Sequence, residues 1–200
     1  LFVISSPSGG GKTSLINKLF EDSRSANFEK SISDTSRQKR QGDLDGKDYY
    51  FLSKKDFIDK IKKDEYVEYA TVFGNFYGTS KQEIKTKYNN SNLILELDWQ
   101  GAYAVKELFD NAKLIFLVPP SLDDLKQRLI KRNLDSSESI ENRLSEAKKE
   151  ISKSEIYDYL VLNDDFDKAF EDLTQILFEG ISSKDFNSRA SKEMIKRLVE

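Results

Sequence analysis

Apolar residues come in two rhythms along this chain. Short, largely apolar runs, Leu1-Phe2-Val3-Ile4, 93–97, 114–118 and 159–162, have the length and composition of strands buried on both faces. Between them, apolar positions recur every three or four residues, as Leu15, Ile16, Leu19 and Phe20 do in a helix expected over 12–23. The run at 93–98 ends in carboxylates and leads to a helix over 100–109. The run at 114–118 is closed by Pro119 and Pro120, after which Ser121 caps a further helix. Residues 135–137 break that helix before another runs to 154. The last core strand ends at Asn163, Asp164 and Asp165, and a long helix starts near Phe166, followed by a polar tail after Gly180. Strands alternating with helices predict an α/β fold, a mostly parallel sheet flanked by helices on both faces.

The segment 34–79 breaks this rhythm. It is rich in charge and Tyr, lacks long apolar runs, and reads as a small inserted subdomain. An extended piece at 28–33 leads into it, and a strand is expected at 48–52. Ser53 caps a helix reaching 63, with Phe57, Ile58 and Ile61 on one side. Extended pieces at 66–73 and 75–78 flank Gly74, and Ser80 with Glu83 forms a capping box for the next helix.

Composition narrows the chemistry. Two hundred residues suffice for one α/β domain, and a net charge of −3 argues against non-specific binding to nucleic acid. The chain has neither Cys nor His. That removes thiol nucleophiles, disulfides, imidazole bases and thiolate or imidazole metal sites. Carboxylates, Lys, Arg, hydroxyls and an oxygen-bound metal remain, and phosphoryl transfer needs little else. No apolar run has the length of a membrane span, so a cytoplasmic protein without a membrane partner is expected.

Pro7-Ser8-Gly9-Gly10-Gly11-Lys12-Thr13 stands between the first strand and the first helix, the order of a phosphate-binding loop. Small residues let backbone N–H groups point at phosphate oxygens, and the helix start adds a positive dipole. Lys12 would reach the β- and γ-phosphates, and the Thr13 hydroxyl would ligate Mg²⁺. The strict pattern asks for Gly where this chain has Ser6. Taken alone, the loop means a nucleotide or, more plainly, a glycine-rich connection. Eight of the 32 basic residues are Arg, and five of them fall in two blocks, Arg37 and Arg40, then Arg128, Arg132 and Arg143. Planar, bidentate phosphate binding explains that placement, and chance clustering is the alternative.

These motifs together resemble the guanylate kinases, P-loop nucleoside monophosphate kinases that transfer the γ-phosphate of ATP to GMP. The resemblance rests on the loop, on 33–40 with its two arginines, on 46–49, 67–70, 74–79 and 98–101, on Pro119-Pro120-Ser121, on the three later arginines and on 161–165. It covers residues 1 to about 178. It implies a single domain over 1–200, with a core of 1–32, 80–120 and 155–200, a GMP-binding subdomain over 33–79 and a helical lid over 121–154.

The resemblance also implies roles. ATP would lie on Ser8, Gly9, Gly10, Gly11, Lys12, Thr13 and Ser14, with Arg132 over it and Asn163 near the adenine. Arg37 and Arg40 would clamp the GMP phosphate, with the Tyr49 and Tyr77 hydroxyls completing the cage. Glu68, Ser33 and Thr79 would read guanine, whose N1–H and amino group are paired donors for a carboxylate. Glu96 and Asp98 would organise the GMP side and the Mg²⁺ water shell. Lys12, Arg37, Arg128, Arg132 and Arg143 would neutralise the transferred phosphoryl group. The chain departs from the family at Ser6, at Glu96, where Asp is usual, and at Asn133, where Gly is common. Two other readings share the fold: a catalytically inactive interaction module, and a kinase for a different phosphorylated acceptor. Retention of Lys12, Thr13 and all five arginines opposes the first, and Glu68 with Arg37, Arg40, Tyr49 and Tyr77 opposes the second. dGMP is expected to serve beside GMP. Oligomeric state is left open.

Overall fold

The computed structural model describes residues 1–88, 90–131 and 137–200, with the backbone alone at 137 and 138. The architecture is mixed α/β, with a parallel central sheet flanked by helices. The chain divides into two compact units, residues 1–2 with 27–112, and residues 3–26 with 113–200. The expected subdomain 33–79 falls within the first unit, and Arg132 and Asn133 lie outside the described residues.

Strand β1 (Phe2–Ser5), which the second unit holds from Val3 on, is buried throughout and runs into the loop and helix α1 (Lys12–Glu21). The first unit takes up the chain with β2 (Phe28–Lys30), β3 (Asp34–Thr35) and β4 (Tyr50–Phe51). Helix α2 (Lys54–Lys62), strands β5 (Tyr66–Val72) and β6 (Asn75–Ser80) and helix α3 (Lys81–Lys87) follow. Strand β7 (Asn92–Glu96) and helix α4 (Trp99–Leu108) complete it. There β2 pairs in parallel with β7, Lys30 opposite Ile94. A second sheet has the order β4-β3-β6-β5. Its β5–β6 hairpin turns on Phe73 and Gly74, both at positive φ (48° and 74°), which suits a two-residue turn whose twist matches the strands. The Phe57 ring of α2 stacks on Tyr66 and Phe76 at centroid distances of 4.6 and 5.4 Å. A Cβ at Gly78 would come within 3.0 Å of both Phe57 and Tyr66, so the stack requires glycine there.

The second unit continues with β8 (Lys113–Val118), α5 (Leu122–Lys131), α6 (Ser137–Ser152), β9 (Tyr159–Leu162), α7 (Phe166–Leu177) and α8 (Lys192–Val199). β8 and β9 pair in parallel, Val118 opposite Leu162, and Leu114 to Leu117 are fully buried. Among the described residues, no helix is long and apolar enough to cross a membrane.

Caps read from local spacing are present: Ser53 accepts from Asp56 N–H, and Ser121 from Asp124 N–H. Three expectations need correction. Only 50–51 of the expected strand 48–52 is strand, because neighbouring backbone groups are spent on the turn 43–48, where Leu44 N–H donates to Asp48. Ile58 is exposed, since the hydrophobic side of α2 is filled by Phe57. Ser80 does cap α3, but the Glu83 carboxylate turns away from the box. It accepts from Ile32 N–H at 2.8 Å, where the chain leaves β2, and pairs with Lys87. The polar tail, whose packing the sequence leaves open, is a packed segment. Ser191 caps α8, which lies against α6, and Ala190 and Leu198 are buried.

Candidate functional site

The phosphate loop belongs to the second unit. Gly9 and Gly11 sit at φ +87° and +90°, conformations that L side chains resist. A Cβ at Gly11 would lie 2.4 Å from Asn163 Nδ2, so space as well as φ demands glycine. Gly11 occupies the cap position of α1 and carries no side chain to engage the first-turn N–H groups, which suits them to an anion. Ser6 is buried at the base of the loop and donates to Pro7 O at 3.1 Å. A Cβ at Gly10 would stand 2.9 Å from Ser6 Cβ, so this loop accommodates Ser6 through the bareness of Gly10.

Two side chains from distant sequence reach the loop, and a third reaches one of them. Arg143 Nη1 donates to Ser8 Oγ at 2.8 Å. Asn163 Nδ2 donates to Gly10 O at 2.6 Å, and the Asn163 carbonyl accepts from Arg128 Nη2 at 3.0 Å. Two of the expected later arginines are thus brought to the loop or its brace, and the third, Arg132, lies outside the described residues. Asn163 is buried and spends its amide on the loop backbone. Lys12 is partly exposed, and Thr13 and Ser14 are exposed on the first turn of α1.

The other candidate residues belong to the first unit and form two groups. In one, the Arg37 guanidinium lies 5.4 Å from the Tyr49 ring centroid and 5.6 Å from that of Phe51, and the Tyr49 and Tyr77 rings are 5.8 Å apart. The base of Arg37 is fixed by Thr35, whose hydroxyl accepts from Arg37 N–H at 3.1 Å and donates to Phe76 O at 2.9 Å. Asp43 accepts from Arg37 Nη2 at 2.9 Å and from Arg40 N–H at 2.8 Å. Arg40 itself is exposed. Burial pushes the Tyr49 hydroxyl up to about 12, the Glu96 charge adds to this, and Arg37 opposes it, so the group is a neutral donor at physiological pH.

In the second group, Glu68 and Thr79 are opposite each other on β5 and β6, both buried. Glu68 Oε1 and Thr79 Oγ1 have no hydrogen-bond partner among the described residues. Burial pushes the Glu68 carboxyl up to about 7, with Thr79 opposing the rise and the Asp98 charge adding to it. Helix α4 starts beside it: Asp98 caps the helix through Gly101 N–H at 2.9 Å, and a Cβ at Gly101 would lie 2.9 Å from Glu68 Oε2. Unpaired buried polar atoms cost stability, and sites that bind ligands are where such a cost is retained. A buried carboxylate oxygen beside a buried hydroxyl suits a planar ligand edge carrying N–H donors.

Glu96 and Asp98 part company. Glu96 pairs with Lys30 at 2.8 Å across β2 and β7, while Asp98 caps α4. The longer Glu side chain is occupied by the cross-strand Lys. Ser33 is half-buried, and its carbonyl accepts from Tyr50 N–H. Sequence reasoning missed Thr35, Asp43 and Gly101. An acidic residue three positions after Arg40 was a usable signal for Asp43. Nothing local distinguishes Gly101, whose meaning depends on Glu68 from another strand.

A family model described as guanylate kinase matches residues 1–180. A guanylate kinase from Hahella chejuensis is 49% identical over 177 residues, 88% of this chain and 84% of that protein. One from Haemophilus influenzae is 41% identical over 201 residues, 100% of this chain and 97% of that protein. Among solved structures, a guanylate kinase from Anaplasma phagocytophilum aligns with a TM-score of 0.73 at 32% identity, covering 98% of this chain and 93% of that one.

Proposed function

The chain belongs to the guanylate kinase family, and on that premise we propose how its residues share the work of moving a phosphoryl group from ATP to GMP. It is an enzyme, an ATP:GMP phosphotransferase. The inactive-module reading is not favoured. dGMP serves as a second acceptor, and the enzyme acts in the cytoplasm, in purine nucleotide metabolism.

The triphosphate lies along Ser8 to Ser14, its oxygens taken by loop and α1 N–H groups and by the Lys12 ammonium. Arg143, poised at Ser8, and Arg128, with Arg132, hold charge as it builds on the transferred group. Asn163 keeps the loop carbonyl of Gly10 turned away from the anion, and stands on the adenine side. The residues fit Mg²⁺ on the chemistry of their donors: the exposed Thr13 hydroxyl is a single hard oxygen, and this ion takes its remaining ligands from water and phosphate. When bound, Mg²⁺ neutralises and orients the phosphate oxygens.

On the acceptor side, Arg37 and Arg40 hold the GMP phosphate with the Tyr49 and Tyr77 hydroxyls, and Asp43 and Thr35 fix Arg37. The attacking group is a phosphate oxygen, already anionic at neutral pH, so positioning suffices and no general base is needed. Guanine is read by Glu68, Thr79 and Ser33, and Asp98 borders that group. The observation that carries this reading is the unpartnered pair Glu68 Oε1 and Thr79 Oγ1, buried on adjacent strands. Guanine N1–H and its amino group would satisfy the carboxylate. Adenine, with an acceptor at N1, would not.

A coupled ADP-release assay with ATP and Mg²⁺ tests this. Turnover is expected with GMP and dGMP, with AMP, CMP and UMP lower by ~10³-fold or more in kcat/KM. Equal rates with AMP, or none with GMP, would overturn it. Gly101→Ala supplies a second test, because the added methyl must displace the Glu68 carboxylate. KM for GMP is expected to rise about tenfold, with KM for ATP unchanged, and Glu68→Asp in the same chain should recover part of the loss. A normal KM for GMP in Gly101→Ala would mean that the carboxylate need not stay where it is.

A further inference from the structure

The segment after Gly180 lies beyond the residues matched by the family model, yet it is tied to the strand that carries the loop's brace. Tyr159 Oη donates to Ile181 O at 2.8 Å, and Ser188 Oγ to Leu160 O at 2.6 Å. Arg189 reaches further. Its Nη2 donates to Leu162 O at 2.8 Å and to Asp172 Oδ2 of α7 at 3.2 Å, and its Nη1 to Asp164 Oδ1 at 2.6 Å. One guanidinium therefore grips the residue before Asn163 and the residue after it.

Asn163 is held from both sides. Its N–H donates to Val118 O at 2.8 Å, which continues the β8–β9 pairing by one residue. Its carbonyl takes Arg128, and its side-chain amide reaches Gly10 O. The contact also depends on the glycine, since Asn163 Nδ2 lies 2.4 Å from where a Cβ of Gly11 would stand. That bond couples the position of residues 162–164 to Gly10 in the loop. Asp164 and Asp172 face Arg189, and both carboxylates are engaged by it. A bidentate, always-charged fork is the group suited to lock a carbonyl and two carboxylates at once.

The geometry points to Arg189 as a positioning residue for the ATP side: by clamping 162 and 164 it sets Asn163, and through Asn163 the shape of the phosphate loop. This rests on the assignment of that loop to ATP phosphates. Arg189 lies in a segment that the family model leaves unmatched.

Calorimetric titration of the full chain with ADP, and separately with GMP, reads the two sides without turnover. Arg189→Gln is expected to weaken ADP binding about tenfold, the scale of one lost hydrogen bond to a charged group, and to leave GMP binding unchanged. Arg189→Lys should fall between Gln and wild type. Asn163→Ala should weaken ADP binding on its own, and adding Arg189→Gln to it should cost little more, because both act through one contact. The retained GMP affinity is the check that the variant is folded. Should Arg189→Gln not fold, the comparison passes to Arg189→Lys. ADP affinity unchanged in the folded variant, ADP and GMP affinities falling together, or additive losses in the double variant would each overturn the assignment. A wild type that binds ADP but does not turn over GMP overturns the phosphotransfer reading and leaves this one standing. A wild type that does not bind ADP overturns both.

Discussion

Glu68→Gln is expected to lower kcat/KM for GMP by about 10³-fold or more while leaving KM for ATP within about twofold. The carboxylate has two acceptor oxygens and no donor, the complement of guanine N1–H and its amino group. An amide in its place offers one acceptor and one N–H pair, and that pair must point at a guanine donor or at nothing. Burial makes the mismatch costly, because neither partner can turn to water. The same residue gives a stability signature of opposite sign. Its carboxyl is pushed up to about 7 by burial, from an ordinary 4.5, so between those values the folded protein holds a proton that the unfolded chain does not. Stability from this group is therefore full below about pH 4.5 and is lost as pH rises through 7. Glu68→Gln removes that dependence. Thermal unfolding should show the variant gaining on wild type between pH 5 and pH 8, while its GMP activity is nearly absent. A variant that loses stability at pH 8, or that keeps its activity with GMP, would remove Glu68 from the base-reading role.

Arg143→Ala is expected to reduce kcat by about 10³-fold with KM for GMP little changed. The guanidinium is held at Ser8 Oγ, on the loop proposed to cradle the donor's phosphates. Its benefit is greatest when the transferred group carries its charge dispersed over peripheral oxygens, so the loss should appear in kcat before it appears in binding. Arg143→Lys should recover only a small part, since an ammonium cannot serve Ser8 and a phosphoryl oxygen with one planar fork. Steady-state kinetics with each substrate varied at saturating levels of the other separates these outcomes. A rise in KM for ATP with an intact kcat would make Arg143 a ground-state binder.

The sequence announced those features whose physics is local. Ser53 and Ser121 cap helices through N–H groups three residues on, and that spacing is visible in the chain itself. The strand, glycine-rich turn and helix at the start read correctly for the same reason. Glu83 was misread because its spacing fitted a cap, while Ile32, 51 residues away, had an N–H in need of an acceptor. The tail after Gly180 looked merely polar, since its charged positions outnumber the few, Ala190 and Leu198, that become buried. Ser6 looked like a departure from the loop pattern, and only the bareness of Gly10 explains how it is accommodated.

The order of runs and helices, the loop, and the concentration of arginine in two short blocks were determined by the sequence, because hydrophobic period and turn chemistry act over a few residues. Which groups meet was decided by the tertiary structure. Arg143 finds Ser8 across 135 positions, and Asn163 finds Gly10 across 153. Glu68 became a buried, proton-holding carboxyl only once β6 lay beside it and α4 brought a glycine against it. Along an alternating strand it is one polar position among several. Desolvation, not identity, gives it a raised pKa and an unsatisfied oxygen, and desolvation exists only after the chain has packed.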